Sequence, residues 1–150
     1  MAIRTVLQVG DDTLRKKSFL VTDFGEKTKQ LLDDMKETLD KEEGVGLAAP
    51  QIGVLRRIFI VSYQDVYLEC INPVISKLKG KAVDTEGCLS VRGRSGNVER
   101  PTSLVLDAFD RNGTPYSLKI NGYLARIICH EYDHLDGILY IDKLVRTEEK

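Results

Sequence analysis

The chain has 150 residues, of which 42% are hydrophobic and 30% are charged, and its formal net charge is −1 at pH 7. This length and composition predict a globular domain with its own core and exclude a disordered or fibrous chain. The near-neutral charge argues against direct binding to nucleic acid or to an anionic membrane. Because no apolar run suits a signal peptide or a membrane span, we expect one cytoplasmic domain over residues 1–150.

The first long predicted element is an amphipathic helix near the N-terminus. Asp23 to Glu26 resembles a capping box, and the helix that it opens extends to about Lys41. Apolar residues recur with helical spacing and predict its buried face: Leu31, Leu32, Met35 and Leu39.

Short β-rich runs follow in the middle of the chain. They cover residues 57–62, 66–71, 74–79, 103–109 and 116–120. The turn signal from Asp110 to Gly113 predicts an antiparallel hairpin between the last two runs. Helical periodicity returns from Asn121 to about Leu135. The order of helix, strands and helix predicts an α+β fold with antiparallel sheets packed around the second helix.

That second helix carries the most informative motif, which runs from His130 to His134. Two histidines four residues apart project from one helix face, so both imidazoles can bind one metal ion. Glu131 is then within reach of a water molecule at the metal, as a general base requires. A five-residue motif also arises by chance, but these are the only two histidines in the chain.

A catalytic site of this kind needs a third protein ligand. The chain has no further histidine, and Glu148 and Glu149 lie in a polar tail. Among the three cysteines, Cys88 is our choice because its polar, glycine-containing surroundings suit a cleft. Cys70 is interpreted as a small core residue, and Cys129 should point away from the two histidines.

The segment from Gly44 to Gly53 is rich in small residues, so its backbone can approach a substrate closely. It lacks the features of a phosphate-binding loop, and a tight loop leading into a strand is the simpler interpretation.

In order and spacing, the segments 44–51, 86–90 and 130–134 resemble the three signature motifs of peptide deformylases. The resemblance extends over roughly the first 145 residues. It implies that Cys88, His130 and His134 bind the metal and that Glu131 is the general acid and base. It also implies that Gln51 and the backbone N–H of Leu89 stabilise the oxyanion.

The implied reaction removes the N-terminal formyl group from formyl-methionyl nascent polypeptides and releases formate. Gly46 would crowd any acyl group larger than formyl, and Tyr123 and Ile127 would form walls of an apolar methionine pocket. Arg100 resembles a family arginine that supports the cysteine loop, and we expect it to pair with Glu86.

The resemblance further implies iron(II), Fe2+, as the native ion, with Zn2+, Ni2+ or Co2+ able to occupy the same site. Formylated nascent chains are the expected partners in the cytoplasm of a bacterium, of a phage host or of an organelle. The chain is expected to lack the extended C-terminal helix of many relatives, so a ribosome contact made through that helix would be absent.

Two other interpretations remain open from the sequence. An HExxH zinc peptidase would use the same helix to cleave internal peptide bonds, although its usual third ligand is missing. A metal-stabilised binding module would need a closed site with a fourth cysteine or histidine ligand.

Overall fold

The computed structural model describes residues 2–145 and has the predicted α+β fold. Helix α1 spans Glu26–Glu42 and helix α2 spans Tyr123–His134. The strands are β1 (Gly46–Ala48), β2 (Ile58–Tyr63), β3 (Val66–Lys79), β4 (Ala82–Cys88), β5 (Val91–Arg100), β6 (Ser103–Phe109) and β7 (Pro115–Asn121). No helix formed by residues 2–145 combines the length and apolar character that a membrane crossing requires.

Five strands form the main sheet, in the order β1-β2-β3-β6-β7, and every neighbouring pair is antiparallel. The two helices cover opposite faces of this sheet. In β2, Phe59 and Val61 belong to the core on the α2 side, whereas Ile58 and Ile60 belong to the core on the α1 side. Such continuous burial is expected of a strand that is covered on both faces.

Strands β4 and β5 form a separate two-stranded sheet. Helix α2 lies against the main sheet and also contacts β5, so it separates the two sheets. Behind the hairpin lies a small core of four buried residues, against which Cys88 packs: Val91, Val98, Leu139 and Tyr140.

Several predicted elements are confirmed. The apolar stripe of α1 is buried, with no member more than 5% exposed. The hairpin turn is present between β6 and β7, where the Asp110 carboxylate accepts hydrogen bonds from the backbone N–H groups of Asn112 and Thr114. Helix α2 begins at Tyr123, two residues later than the predicted start at Asn121.

Other predictions about the elements were wrong. Asp23 does not cap α1, because its carboxylate accepts the N–H of Gly25 and the N-cap position is Gly25 itself, which has no side chain. The two runs predicted at 66–71 and 74–79 form one strand, β3, with register shifts where Asn72 and Lys77 adopt positive φ angles. Strands β1, β4 and β5 were not predicted. The predictions for the polar tail and for the missing C-terminal helix concern residues 146–150, which lie outside the described residues.

Candidate metal centre

The two histidines of α2 lie on one helix face, and both are buried. The last residue of β4, Cys88, meets them from the other sheet, with its Sγ 3.4 Å from Nε2 of His134. One ligand atom from each of Cys88, His130 and His134 lies within 4.8 Å of the others. The structure therefore brings together the three residues that the sequence proposed as metal ligands.

This donor set fits a divalent transition metal. Thiolate and imidazole are ligands that such ions favour, and three protein ligands are the number used by catalytic sites of the zinc type. The pKa of His134 lies well below its ordinary 6.5 because of burial and the positive charges of His130 and Arg100. His134 is therefore neutral, which is the form that binds a metal.

Glu86 holds one of the two ring nitrogens of His130. Nδ1 of His130 lies 3.0 Å from Oε1 of Glu86, which leaves Nε2 for a metal ion. Burial lowers the pKa of His130, but the nearby Cys88 and the contact with the Glu86 carboxylate raise it to about 10. At this pKa the imidazole also carries a proton on Nε2, and a metal ion would have to displace that proton in order to bind there. A carboxylate behind a histidine ligand is a frequent feature of metal centres because it fixes the tautomer and the ring orientation.

Glu86 is also the centre of a buried ionic network. Arg100 donates to both of its carboxylate oxygens, at 2.9 and 3.0 Å, which confirms the predicted ion pair. Arg126 adds a bond of 2.8 Å, and Arg100 reaches on to Asp133 at 2.8 Å. Burial raises the pKa of Glu86, but the hydrogen bonds from His130 and Arg100 outweigh it and lower the pKa to about 2. Glu86 is therefore charged at neutral pH.

Glu131 faces the same cavity as the candidate metal site of Cys88, His130 and His134. Its side chain is buried, and among the described residues its Oε1 has no hydrogen-bond partner. Burial raises the pKa of Glu131 to about 7, against the opposing effect of the positive charge on His130. A group whose pKa lies near neutrality is suited both to accept and to donate a proton.

Gly46 of β1 makes room for this carboxylate. A Cβ atom at Gly46 would lie 2.5 Å from Oε2 of Glu131, which is closer than real Cβ contacts allow. Its φ angle is not positive, so the need for glycine here comes from space rather than from backbone conformation.

The amide of Gln51 lies beside Cys88. Its Oε1 accepts the backbone N–H of Ala48 at 2.9 Å, which fixes the direction of the amide group. Its Nε2 donates to Oγ of Ser90 at 3.0 Å and lies 3.6 Å from Sγ of Cys88. Leu89 lies in the same turn and lines the cavity, and its carbonyl accepts a hydrogen bond from Gln8 at 2.9 Å.

The cavity has a volume of about 230 Å³. Tyr123 and Ile127 line it from α2, as the sequence proposed. Tyr123 is 42% exposed and packs on the ring of Tyr63 at a centroid distance of 5.4 Å, whereas Ile127 is buried. All nine residues proposed from the sequence thus lie in or around one site.

The two remaining cysteines are not part of the candidate metal site. Cys70 and Cys129 are buried free thiols, and burial raises their pKa values to about 12 and about 11. They therefore remain protonated and act as small core residues, as proposed for Cys70.

Three contributions to the site were not foreseen from the sequence. These are the hydrogen bond that the His130 imidazole donates to Glu86, the contact of the Arg126 guanidinium with Glu86 and the stacking of Tyr140 on His130. Spacing alone signals the first two. Glu86 lies two positions before Cys88 in a strand, so both side chains point to the same face of that strand. Arg126 lies four positions before His130 in α2, so these two side chains lie on the same face of the helix. Nothing in the sequence around Tyr140 indicates the third.

Comparisons with known proteins identify the family of this chain. The sequence profile of the family described as "Polypeptide deformylase" matches residues 3–150. The peptide deformylase of Caldicellulosiruptor bescii is 49% identical over 146 residues, which cover 97% of this chain and 88% of the relative. That of Acetivibrio thermocellus is 47% identical over 146 residues, covering 97% and 86%.

Solved structures show the same similarity in three dimensions. The crystal structure of peptide deformylase from Thermotoga maritima superposes with a TM-score of 0.95 at 34% identity, covering 97% of this chain and all of that one. The crystal structure of the Thermus thermophilus enzyme gives a TM-score of 0.91 at 40% identity, covering 95% and 86%. Sequence and fold together show that this chain belongs to the polypeptide deformylase family.

Proposed function

We propose that this protein hydrolyses the N-terminal formamide of formyl-methionyl polypeptides and releases formate. One observation supports the proposal most directly. The side chains of Cys88, His130 and His134 lie close together beside the buried carboxylate of Glu131, at one cavity of a deformylase fold. The relatives that share this fold are named peptide deformylases.

The three clustered side chains would hold one divalent metal ion through Sγ of Cys88 and an imidazole nitrogen of each histidine. When bound, the ion supplies Lewis acidity, which acidifies water and polarises a carbonyl group. We propose iron(II) as the native ion. Zn2+, Ni2+ and Co2+ are compatible with the same donors.

Glu131 moves the proton in the proposed reaction. Its carboxylate accepts a proton from the attacking water, whose oxygen forms a bond to the formyl carbon. When the carbon–nitrogen bond breaks, Glu131 returns the proton to the leaving amine, and formate departs. Without a metal ion the pKa of Glu131 is about 7, so its carboxylate can accept a proton and give it up again near neutral pH.

Gln51 and Leu89 would stabilise the negative charge that develops on the formyl oxygen. The Gln51 amide is held in place by Ala48 and directed at the Cys88 side of the cavity. The backbone N–H of Leu89 is the second proposed donor. Loss of one such donor from an oxyanion site typically costs about 3 kcal/mol in the barrier.

Substrate selection would follow from the walls of the cavity. Gly46 lies against Glu131 and lines the cavity, and we propose that the space which it leaves beside the reacting carbon fits a formyl hydrogen but not a methyl group. Tyr123 and Ile127 would receive the methionine side chain. We further propose that residues 1–150 form one catalytic domain that meets nascent chains in the cytoplasm, without nucleic acid as a direct partner.

The test is formate release from a formyl-methionyl tripeptide. Protein purified without oxygen and loaded with iron(II) or nickel(II) should release formate from this peptide and no acetate from its acetylated counterpart. Glu131→Gln keeps the shape of the side chain but removes its base, so it should bind metal and release no formate. Cleavage of internal peptide bonds instead would favour the zinc peptidase, and a fully metallated but inactive parent would contradict the proposal.

A further inference from the structure

Tyr140 is buried next to the candidate metal site, on the side of His130. It follows α2 after a tight turn, is 2% exposed and belongs to the small core behind the β4–β5 hairpin. Its ring stacks on the imidazole of His130, with 6.0 Å between centroids and 24° between ring planes. Cys88 packs against the same small core, so this core lies next to a proposed ligand from each side of the centre.

His130 has a degree of freedom that its hydrogen bond does not remove. The bond from Nδ1 to Glu86 fixes one atom of the ring, but the plane of the imidazole can still tilt about that contact. The last side-chain torsion of histidine is broad, so intrinsic rotamer preference does not set the tilt. A flat ring packed on the imidazole face restricts it.

The hydroxyl of Tyr140 has no part in this contact. It is buried and has no hydrogen-bond partner among the described residues. Its removal would therefore break no bond within that part of the chain, and a buried polar group without a partner is unfavourable. The aromatic ring is the part that acts on His130.

The segment that carries Tyr140 is anchored to both halves of the site. Lys143 forms an ion pair with Asp133 of α2 at 3.0 Å, and the N–H of Val145 donates to the carbonyl of Asn97 in β5 at 2.8 Å. The segment that carries Tyr140 is thus connected both to α2, which carries the two histidines, and to the β4–β5 hairpin, which carries Cys88.

We propose that Tyr140 is a positioning residue for the metal centre. Its ring sets the tilt of the His130 imidazole and supports Cys88, so that both ligands are oriented before the ion arrives. This inference rests on the proposed function, because it presupposes that Cys88, His130 and His134 bind a metal.

The test is a cobalt(II) titration of the metal-depleted protein, followed by visible spectroscopy. The d–d and thiolate charge-transfer bands report the geometry of the ligands directly, and the titration gives the dissociation constant. Tyr140→Met removes the ring while filling much of its volume, and Tyr140→Leu repeats the test should the methionine variant fail to fold. Tyr140→Phe keeps the ring, and Leu139→Ala is the matched control because it disturbs the same small core.

We expect the ring-free variant to bind cobalt about 10- to 100-fold more weakly and with shifted d–d bands, as is typical when a group behind a ligand is lost. Tyr140→Phe should retain the parental spectrum and affinity. Leu139→Ala should lose stability but keep the spectrum.

Three results would overturn the inference: a parental spectrum and affinity in the ring-free variant, an equal spectral change in Leu139→Ala, or an equal change in Tyr140→Phe. The parent protein separates this inference from the proposed function. If the parent itself bound no cobalt, the metal centre would fail together with the role of Tyr140. A parent that binds cobalt leaves the role of Tyr140 to be decided by its variants.

Discussion

At the residue scale, the carboxylate of Glu86 accepts hydrogen bonds from Arg100, Arg126 and His130. Two buried guanidinium groups pair with two carboxylates, those of Glu86 and Asp133, so neither guanidinium is left without an ionic partner. Removing one partner from such a network leaves an uncompensated buried charge, which typically costs 3–5 kcal/mol, so about that scale is expected here. Glu86 thus links the stability of the hairpin to the orientation of a metal ligand.

Gly46 allows a prediction at the same scale. In Gly46→Ala, the new methyl group would meet Oε2 of Glu131 at 2.5 Å and displace the carboxylate. A displacement of about 1 Å in a reacting group can cost about 100-fold in rate, so we expect kcat to fall by about that factor. Steady-state kinetics on a formylated peptide measures the loss.

Metal content is the internal control for Gly46→Ala. Because Gly46 belongs neither to the ligands nor to the network behind His130, metal occupancy should equal that of the parent. An alanine variant with the parental kcat would show that Glu131 does not need its observed position.

At the element scale, the buried carboxylate of Asp34 helps to hold α1 to the N-terminal segment, together with the Thr38 hydroxyl, which accepts the N–H of Arg4. Asp34 accepts the N–H of Ala2 at 2.7 Å and two hydrogen bonds from Arg4, at 3.0 and 2.7 Å. Gln30 donates a further bond from the preceding helical turn. Without these donors, burial of the charged group would be unfavourable.

The titration of Asp34 gives a pH prediction. Burial raises its pKa, but the hydrogen bonds from Gln30 and Arg4 outweigh it, and the pKa lies below the ordinary 3.8. A lowered pKa in the folded state stabilises the protein above pH 3.8, and this contribution disappears as the pH falls through the folded-state pKa. Asp34→Asn should therefore lower the free energy of unfolding at neutral pH.

Urea unfolding of parent and Asp34→Asn, from neutral pH down to below the ordinary pKa of an aspartate, checks this prediction. The difference between the two proteins should shrink at the acid end of the range. Asp23→Asn is the control, because Asp23 is exposed and lies outside this cluster. A difference that stays constant with pH would mean that the charge of Asp34 is not what stabilises the helix.

The elements differ in how far the sequence could predict them. Strands β2, β6 and β7 were found because apolar and β-branched residues form runs there and a strong turn signal separates the last two. Strands β4 and β5 were missed because they form a hairpin of their own, largely open to solvent. In β4 only Glu86 is buried, so no apolar alternation marks the strand. Side-chain periodicity reports burial, and this hairpin has little of it.

The candidate site was more predictable than the strands that carry it. Cys88 could be chosen from chemistry, since a third ligand was needed, Cys70 was interpreted as a core residue and Cys129 was expected to point away from the two histidines. The stacking of Tyr140 could not be inferred, because it depends on how the chain turns after α2. Gly137, at φ +76°, makes this turn, and a Cβ atom there would overlap the backbone of Arg15.

At the scale of the whole molecule, the proposed metal ion would join two bodies, the β4–β5 hairpin and the α2 layer of the main sheet. An ion that binds only the folded protein stabilises it by mass action, by about 2.7 kcal/mol at a concentration 100 times its dissociation constant. We therefore expect metal removal to lower the melting temperature and its restoration to raise it again.

Differential scanning calorimetry with and without cobalt(II) or nickel(II) measures this shift. His134→Ala is the control, since it lacks one ligand and should show little response to added metal. An equal metal-induced shift in His134→Ala would indicate that the stabilising ion binds elsewhere.

The separation of the ligands along the chain determines when the centre can form during synthesis. Cys88 leaves the ribosome well before His130 and His134, and Tyr140 follows all three. Because N-terminal segments emerge first, the hairpin thiol must wait for the last helix before a complete site exists. For the proposed centre, metal acquisition would therefore be a late event in the production of each molecule, and Cys88 would pass through an interval as an unligated thiol, in which oxidants and other metals can compete for it.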